Sequence, residues 1–249
     1  MRRTATEPRW PRAVLFDLDG TLADSFDAIA RALNRALREQ GLAEHSLDWV
    51  HRHVGRGAAA LIRDAVGPEA THDLALAVGR DYAAAYGRSF LAQTPPLPGA
   101  REVLAHVHQR SGGKVTVVSN KAAGLCRRWL EHWELAGLVA HVSGPDASGA
   151  RKPDPRALAP ALGALGVQPG ESLLVGDMEV DAAAGHNAGI PVVAIRSATT
   201  PAATMRAAGA LAVLFELRDL PDWLAGNGRG WVQPARPPGR ESSVESRGA

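Results

Sequence analysis

The chain has 249 residues, of which 45% are hydrophobic and 22% are charged, and its formal net charge is +2. This composition is typical of a globular protein, and no apolar run is long enough to span a membrane, so we expect no membrane partner. The single cysteine, Cys126, excludes an internal disulfide, and the arginine-rich first residues lack the apolar core of a secretory signal. We therefore expect a cytoplasmic protein.

The positive charge is concentrated at the two ends of the chain. Residues 1–12 hold four arginines against one glutamate, and residues 226–249 hold four arginines against two glutamates, so residues 13–225 carry a net charge of −3. Both ends lack hydrophobic periodicity and are predicted to be a disordered arm and a disordered tail. A folded basic surface is therefore not expected, which argues against nucleic acid as a partner. A monomer and a homodimer both remain open.

The first predicted element is a short buried strand that begins at Ala13 and ends at Asp17, followed by a sharp turn at Gly20. Residues 25–93 then show helical spacing and no second strand, which predicts a helical subdomain inserted after that strand. Its predicted helices are 25–40, with Ser25 as the N-cap, then 47–53, 58–66 and 71–90. The proline-rich segment 95–99 returns the chain to the main domain.

Helices and strands alternate in the rest of the chain. The predicted strands are 115–119, 139–142, 172–176, 191–195 and 210–215, and the predicted helices are 99–108, 122–135, 153–165, 181–188, 204–208 and 216–224. Strands separated by helices imply a parallel sheet with right-handed crossovers. The predicted fold class is therefore α/β, with a core formed by residues 13–24 and 94–225.

Four segments carry polar residues where a predicted strand ends or a helix begins. Each alone has an ordinary structural explanation: a turn, a helix cap, a solvated lysine, or acids at a helix N-terminus. Open α/β sheets, however, place their chemistry at the carboxyl ends of their strands. The segments are Asp17-Leu-Asp19-Gly-Thr21, Ser119-Asn120-Lys121, Lys152-Pro-Asp154-Pro and Gly176-Asp177-Met-Glu-Val-Asp181.

Taken together and in this order, the four segments resemble the motifs of the haloacid dehalogenase superfamily, in its phosphatase branch. The resemblance covers about residues 13–225 and implies a Rossmann-like core with a parallel sheet and an inserted helical cap at 25–93. The position of the insertion, the Ser-Asn-Lys segment and Val54-Gly-Arg-Gly57 are similar to the phosphoglycolate phosphatase-like subgroup.

The resemblance implies a role for each residue of the first two segments. Asp17 would be the nucleophile that forms an aspartyl-phosphate, and Asp19 would be the general acid and base. Ser119 and the backbone amides near Thr21 and Asn120 would bind the phosphoryl oxygens.

The same resemblance implies that two lysines and a metal ion balance the charge of the carboxylates and the phosphoryl group. Lys152 would bind the phosphoryl group, and Lys121 would reach either that group or the rest of the substrate. Mg²⁺ would be held by Asp17, by Asp19 partly through its backbone carbonyl, and by Asp177. Asp181 would hold the water shell of the metal, or else Lys152.

The predicted cap would close over the site and select the leaving group. Arg56 would face a substrate anion such as a carboxylate, although Gly55 and Gly57 alone also explain a turn with a solvated arginine. Met178 departs from the Ser or Thr that many members have after the Gly-Asp pair, which removes a hydroxyl near the metal but no ligand.

These implications predict a Mg²⁺-dependent phosphatase of a small phosphorylated metabolite, with 2-phosphoglycolate as the first candidate. The alternatives are a phosphatase acting on sugar phosphates, nucleotides or pyrophosphate, and a phosphosugar mutase that shares the aspartyl-phosphate. A non-catalytic binding protein is disfavoured by the complete set of motifs.

Overall fold

The computed structural model describes residues 10–197 and 200–227, in which six parallel strands form one sheet. The strands are β1 (Ala13–Phe16), β2 (Val115–Val118), β3 (His141–Ser143), β4 (Ser172–Gly176), β5 (Val192–Ile195) and β6 (Ala212–Leu214). Their order across the sheet is β3-β2-β1-β4-β5-β6. The predicted parallel α/β fold is confirmed.

The helices of these residues fall into an inserted group and a core group. The inserted group is α1 (Phe26–Glu39), α2 (Leu47–His53), α3 (Ala58–Val66) and α4 (His72–Gln93). The core group is α5 (Ala100–Arg110), α6 (Ala123–His132), α7 (Pro145–Ser148), α8 (Ala159–Leu165), α9 (Glu179–Ala188), α10 (Ala202–Ala207) and α11 (Leu220–Asn227).

β1 lies at the centre of the sheet and pairs with both β2 and β4. Val14 lies opposite Val115 on one side and Leu173 on the other. The residues of all three strands are buried, because helices cover both faces of the sheet, and each strand is therefore almost continuously apolar. One face packs against α5, α6 and α11, and the opposite face packs against α8, α9 and α10.

The helical insertion, residues 25–93, is built on the packing of α1 against α4. Ile29, Leu33 and Leu37 form the predicted apolar stripe of α1 and are buried. The segments that enter and leave the insertion run side by side: the Leu97 N–H donates to the Leu22 carbonyl at 2.8 Å. This pairing holds the insertion over the carboxyl end of β1.

The predicted helices differ from the structure in local details. Ser25 is the N-cap residue of α1, as predicted, but its side chain makes no capping hydrogen bond. The predicted helix 153–165 is split, because the Asp154 side chain accepts from the Arg156 N–H and begins a separate 3-10 turn. Pro160, which has no N–H to donate, prevents that turn from continuing into α8 as one helix. The short helix α7 was not predicted.

The predicted arm and tail lie mostly outside the described residues, which exclude 1–9 and 228–249. Within the predicted arm, the Trp10 ring packs against His106, and the guanidinium of Arg110 lies 4.6 Å from the Trp10 ring centre. Arg12 forms an ion pair with Glu171 at 2.7 Å. No helix among the described residues is long and apolar enough to cross a membrane.

Candidate active site

Polar side chains from three neighbouring strands meet at one edge of the sheet. Asp17 follows β1, Ser119 follows β2 and Asp177 follows β4, and parallel strands place their carboxyl ends together. Gly20 makes this convergence possible: its φ is +84°, and a Cβ at this position would lie 2.2 Å from Oδ2 of Asp177. Only glycine lets the chain turn this closely past a carboxylate.

An acidic cluster formed by Asp17, Asp177 and Asp181 lies at this edge. A carboxylate oxygen from each residue lies within 4.8 Å of the others, and all three residues are buried. Lys152 Nζ lies 2.8 Å from Asp17 Oδ1 and 2.6 Å from Asp181 Oδ1. The Thr21 hydroxyl donates to Asp177 at 2.9 Å. Lys152 therefore pairs with two of the three carboxylates, and Thr21 binds the third.

Burial shapes the protonation of these groups. Burial raises the pKa of Asp17 to about 6, against the opposing effect of the Lys152 charge. Burial also raises the pKa of Asp177 well above its usual value, and the charges of Asp17 and Asp181 add to this shift. Burial alone would lower the pKa of Lys152, but Asp17 and Asp181 raise it, so the lysine stays charged.

The acidic cluster has the chemistry of a divalent-cation site. When all three carboxylates are ionised, they carry a net charge of −2 together with the Lys152 ammonium, which one divalent cation would neutralise. Oxygen ligands of this kind suit a hard ion such as Mg²⁺. The residues present therefore fit the metal that the sequence predicts. The Asp19 side chain is not part of the acidic cluster, and its predicted contact through the backbone carbonyl stays a prediction.

The Asp19 side chain instead forms a second charged pair. Lys121 Nζ donates to both oxygens of Asp19, at 2.7 and 2.6 Å, and lies 5.0 Å from the centre of the Tyr86 ring. Burial alone would lower the pKa of Lys121, but Asp19 raises it well above its usual value. Lys121 thus lines the cavity with its charge directed at Asp19, and its contact with a substrate stays a prediction.

Two predicted phosphate-binding positions have side chains engaged elsewhere, and the prediction that backbone amides near Thr21 and Asn120 bind the phosphoryl oxygens stays a prediction. The Thr21 N–H bonds to the Leu18 carbonyl at 3.2 Å within the turn, and its hydroxyl bonds to Asp177. The Asn120 side chain is bonded to backbone groups of Gly55 and Lys152. Ser119 is buried, and its oxygen accepts a 3.3 Å hydrogen bond from the Lys121 N–H.

A cavity of about 430 Å³ lies between the strand ends and the helical insertion. Its floor contains Asp17, Asp19, Ser119, Lys121 and Lys152, and its wall from the insertion is mainly apolar. The residues of that wall are Ile29, Val54, Gly55, Gly57, Ala58, Ala59, Leu61, Tyr82 and Tyr86.

Arg151, and not Arg56, is the arginine that lines this cavity. Arg56 forms an ion pair with Asp64 within the insertion and does not line the cavity. Arg151 forms no ion pair within the described part of the chain, and its Nε packs against Gly57. Its position directly before Lys152 was the only signal in the sequence, because nothing local distinguishes it from other arginines.

Tyr82 and Tyr86 were also missed by the sequence analysis. They lie one helical turn apart on α4 with ring centres 5.6 Å apart, and both line the cavity. Their spacing marks them as neighbours on one helix face. This spacing alone does not distinguish a helix face that lines a binding site from one that packs into the hydrophobic core.

A sequence model of the haloacid dehalogenase-like hydrolases matches residues 14–195. The chain belongs to this family. This haloacid dehalogenase-like hydrolase is 38% identical over 236 residues to the phosphoglycolate phosphatase of Rhodospirillum rubrum. The matched region covers 90% of this chain and 93% of that protein. The phosphoglycolate phosphatase of Caulobacter vibrioides is 33% identical over 213 residues, covering 84% and 88%.

Solved structures of haloacid dehalogenase-like proteins share the fold. A predicted phosphoglycolate phosphatase from Haemophilus somnus matches with a TM-score of 0.77 at 25% identity, over 85% of this chain and 97% of that one. A family hydrolase from Deinococcus radiodurans, with bound phosphate and sodium, matches with a TM-score of 0.66 at 26% identity, over 92% and 100%. The predicted family and its phosphatase type are confirmed.

Proposed function

We propose that the chain is a Mg²⁺-dependent phosphatase that hydrolyses a small phosphorylated metabolite, with 2-phosphoglycolate as the first candidate. The observation that carries the proposal is the buried Asp17 carboxylate, 2.8 Å from Lys152, on the floor of a cavity beside an acidic cluster. The curated relatives named above are phosphoglycolate phosphatases, and the Deinococcus radiodurans relative binds phosphate and sodium.

Asp17 is the proposed nucleophile. Lys152 holds one of its oxygens, and the other attacks phosphorus while the bond from phosphorus to the leaving alcohol breaks. Water then displaces the phosphoryl group from the Asp17 carboxylate, so one difficult substitution becomes two easier ones. The Lys152 ammonium and the Ser119 hydroxyl bind the phosphoryl oxygens as charge develops on them.

Asp19 is the proposed general acid and base. To act as the acid of the first step, Asp19 takes up a proton in place of one of its bonds to Lys121 and passes that proton to the leaving oxygen; in the second step it takes a proton from the attacking water. Lys121 holds both oxygens of Asp19 and so orients this carboxyl group at the turn after β1. The ammonium of Lys121 also faces the cavity that the substrate would occupy.

Mg²⁺, when bound, would neutralise charge on the transferred phosphoryl group. Asp17 and Asp177 would hold it through their side chains, and Asp19 would contribute its backbone carbonyl. Asp181 would orient the surrounding waters, and it also holds Lys152.

The helical insertion, residues 25–93, is proposed to act as a mobile cap on the core formed by 13–24 and 94–225. Its apolar wall would exclude water from the reacting groups. A cytoplasmic location and a monomeric or homodimeric state remain predictions.

The position of Arg151 in the cavity favours a substrate that carries a second anionic group besides its phosphate. Both lysines of the cavity floor are already paired with carboxylates, whereas Arg151 is a cavity cation without an ion pair among the described residues. A guanidinium binds a carboxylate through two parallel hydrogen bonds, and 2-phosphoglycolate carries a carboxylate beside its phosphate.

The test is a screen of phosphate release from a panel of phosphorylated metabolites, with p-nitrophenyl phosphate as the carboxylate-free reference. Asp17→Asn should lower turnover of every substrate by about 10⁴-fold or more. Arg151→Met should raise KM for phosphoglycolate by about 10-fold or more but leave p-nitrophenyl phosphate unchanged, since a charge-assisted hydrogen bond contributes roughly 1.5–3 kcal/mol.

Arg56→Met is the matched control, because it removes the same charge from a nearby arginine of the insertion that does not line the cavity. It should leave KM for phosphoglycolate unchanged. Full activity in Asp17→Asn would refute the mechanism, and a preference for nucleotides or carboxylate-free sugar phosphates would refute the substrate.

A phosphosugar mutase is the second candidate, favoured by a cavity whose volume of about 430 Å³ exceeds what phosphoglycolate fills. A mutase would return the phosphoryl group from Asp17 to a second hydroxyl and would release no inorganic phosphate in a single turnover. Stoichiometric phosphate release therefore excludes it.

A further inference from the structure

Asn120 lies where the core meets the helical insertion, and its side chain joins the two. Its Nδ2 donates to the Gly55 carbonyl at 2.7 Å and to the Lys152 carbonyl at 2.9 Å. Its Oδ1 accepts from the Lys152 N–H at 2.8 Å. An amide side chain has two N–H donors, so these bonds leave none for a phosphoryl oxygen. The Asn120 side chain therefore connects segments of the protein instead of contacting substrate.

The loop 54–57 of the insertion lies in direct backbone contact with the core. Gly55 has a φ of +110°, and a Cβ there would lie 2.4 Å from Met178 Sδ. Gly57 has a φ of +88°, and a Cβ there would lie 3.3 Å from the Asn120 carbonyl oxygen. Both glycines allow the loop to dock, and Met178, which replaces a common hydroxyl residue, forms part of the docking surface.

The backbone of Lys152 is held by this same amide. Both its N–H and its carbonyl bond to Asn120, while its ammonium group reaches Asp17 and Asp181. The position of the ammonium group therefore depends on a backbone that Asn120 fixes. Asn120 in turn receives one of its three restraints from the docked Gly55 carbonyl.

We propose that Asn120 is a positioning residue that couples docking of the loop 54–57 to placement of Lys152 beside Asp17. When the loop is docked, the Gly55 carbonyl fixes the plane of the Asn120 amide and thereby the Lys152 backbone. When the loop moves away, that restraint is lost. Coupling is reciprocal, so an anion that binds Lys152 also favours the docked loop.

The first experiment measures hydrogen–deuterium exchange of the amides in 54–57, with and without inorganic phosphate. In the wild type, phosphate should slow exchange of this loop. In Asn120→Ala, exchange should be faster without phosphate, and phosphate should no longer slow it, while α1 and α4 exchange as in the wild type. A loop that phosphate protects equally in both proteins would overturn the proposal.

Asn34→Ala is the matched control. The Asn34 amide makes a similar bridge, donating to the His45 carbonyl at 2.8 Å and accepting from the His45 N–H at 2.9 Å, entirely within the insertion. Its loss should leave the response of 54–57 to phosphate intact and should leave kcat/KM unchanged. If phosphate also failed to slow exchange of 54–57 in Asn34→Ala, the loss of any side-chain amide bridge would have this effect. That result would overturn the specific role of Asn120.

The second experiment rests on the proposed phosphatase function and uses kcat/KM together with the inhibition constant for inorganic phosphate. Asn120→Ala should lower kcat/KM by about 10²-fold, the loss expected for a displacement of about 1 Å, and should weaken phosphate inhibition. Gly55→Ala should act in the same direction, because its Cβ would push the loop from Met178 and because alanine is strained at a φ of +110°. Met178→Ala makes room for that Cβ but leaves the backbone strain, so it should restore only part of the activity lost in Gly55→Ala.

The effects of Gly55→Ala and Asn120→Ala should be non-additive, since both break one connection. Additive losses would overturn the coupling. A wild type without turnover would refute the proposed function, while the exchange experiment would still decide the role of Asn120.

Discussion

Single residues decide the charge balance of the site, and Asp177 shows how. Its carboxylate is buried beside Asp17 and Asp181, and its hydrogen-bond donor is the Thr21 hydroxyl. Desolvation and two neighbouring carboxylates outweigh that hydrogen bond, so the pKa of Asp177 is raised. Without a metal, this residue therefore destabilises the fold at neutral pH, which is a common property of functional sites.

We expect Asp177→Asn to raise the melting temperature of the metal-free protein. Asparagine keeps an oxygen for the Thr21 hydroxyl and removes the buried charge. A gain of 1 kcal/mol corresponds to about 2–4 °C in a protein of this size. Calorimetry in EDTA measures the shift, and an unchanged or lower melting temperature would contradict the assignment.

The sign of the pH dependence follows from the raised pKa. The unfolded carboxyl group loses its proton near 3.8, whereas the folded group keeps it to higher pH. The stability of the wild type relative to Asp177→Asn therefore falls as pH rises above about 4, and the difference becomes constant above the folded pKa. The melting temperatures of the two proteins in EDTA should converge at low pH.

At the scale of elements, the site depends on where strands end and on how the insertion is attached. The carboxyl ends of β1, β2 and β4 bring Asp17, Ser119 and Asp177 together. The insertion is anchored at its exit by Trp129 on α6, whose indole N–H donates to the Thr94 carbonyl at 2.7 Å. Trp129 is fully buried, so this hydrogen bond fixes the end of α4 to the core.

Trp129→Phe should therefore lower the free energy of unfolding by about 1–3 kcal/mol, because it leaves the Thr94 carbonyl without its donor and also leaves a void. Urea denaturation measures the change. Trp49→Phe on α2 is the control: Trp49 stacks on His45 and His53, and phenylalanine keeps an aromatic ring there. Equal losses in the two variants would show that the Thr94 hydrogen bond has no special role.

At the scale of the whole molecule, the core and the insertion close one cavity around a floor of paired charges. Ligands that bind this floor bind only the folded protein, so they should stabilise it by mass action. The fully ionised acidic cluster would carry a net charge of −2 with Lys152, and a divalent cation would neutralise that charge.

Mg²⁺ should raise the melting temperature saturably, by the equivalent of about 2.7 kcal/mol at 100 times its dissociation constant. EDTA should reverse the effect, and inorganic phosphate should increase it further. Potassium chloride of equal ionic strength serves as the control. An equal response of wild type and Asp177→Asn to Mg²⁺ would place the ion elsewhere.

The fold could be predicted from the chain to a large extent because its strands are buried on both faces. Apolar runs such as Val14–Phe16 are short and bounded by turn residues, which identifies them as strands of a parallel sheet. Predicted helix boundaries were wrong where a local hydrogen bond sets the start of an element. At Asp154, for example, the side chain caps a separate 3-10 turn.

The sequence by itself determined the family, the parallel sheet and the residues at the strand ends, since these follow from local periodicity and from short motifs. Only the tertiary structure decided which charges meet. Lys121 pairs with Asp19 across 102 residues, Arg56 is held by Asp64, and Arg151 lines the cavity instead. Asn120 joins Gly55 to Lys152 for the same reason: hydrogen bonds between segments depend on side-chain direction in three dimensions, which periodicity along the chain does not encode.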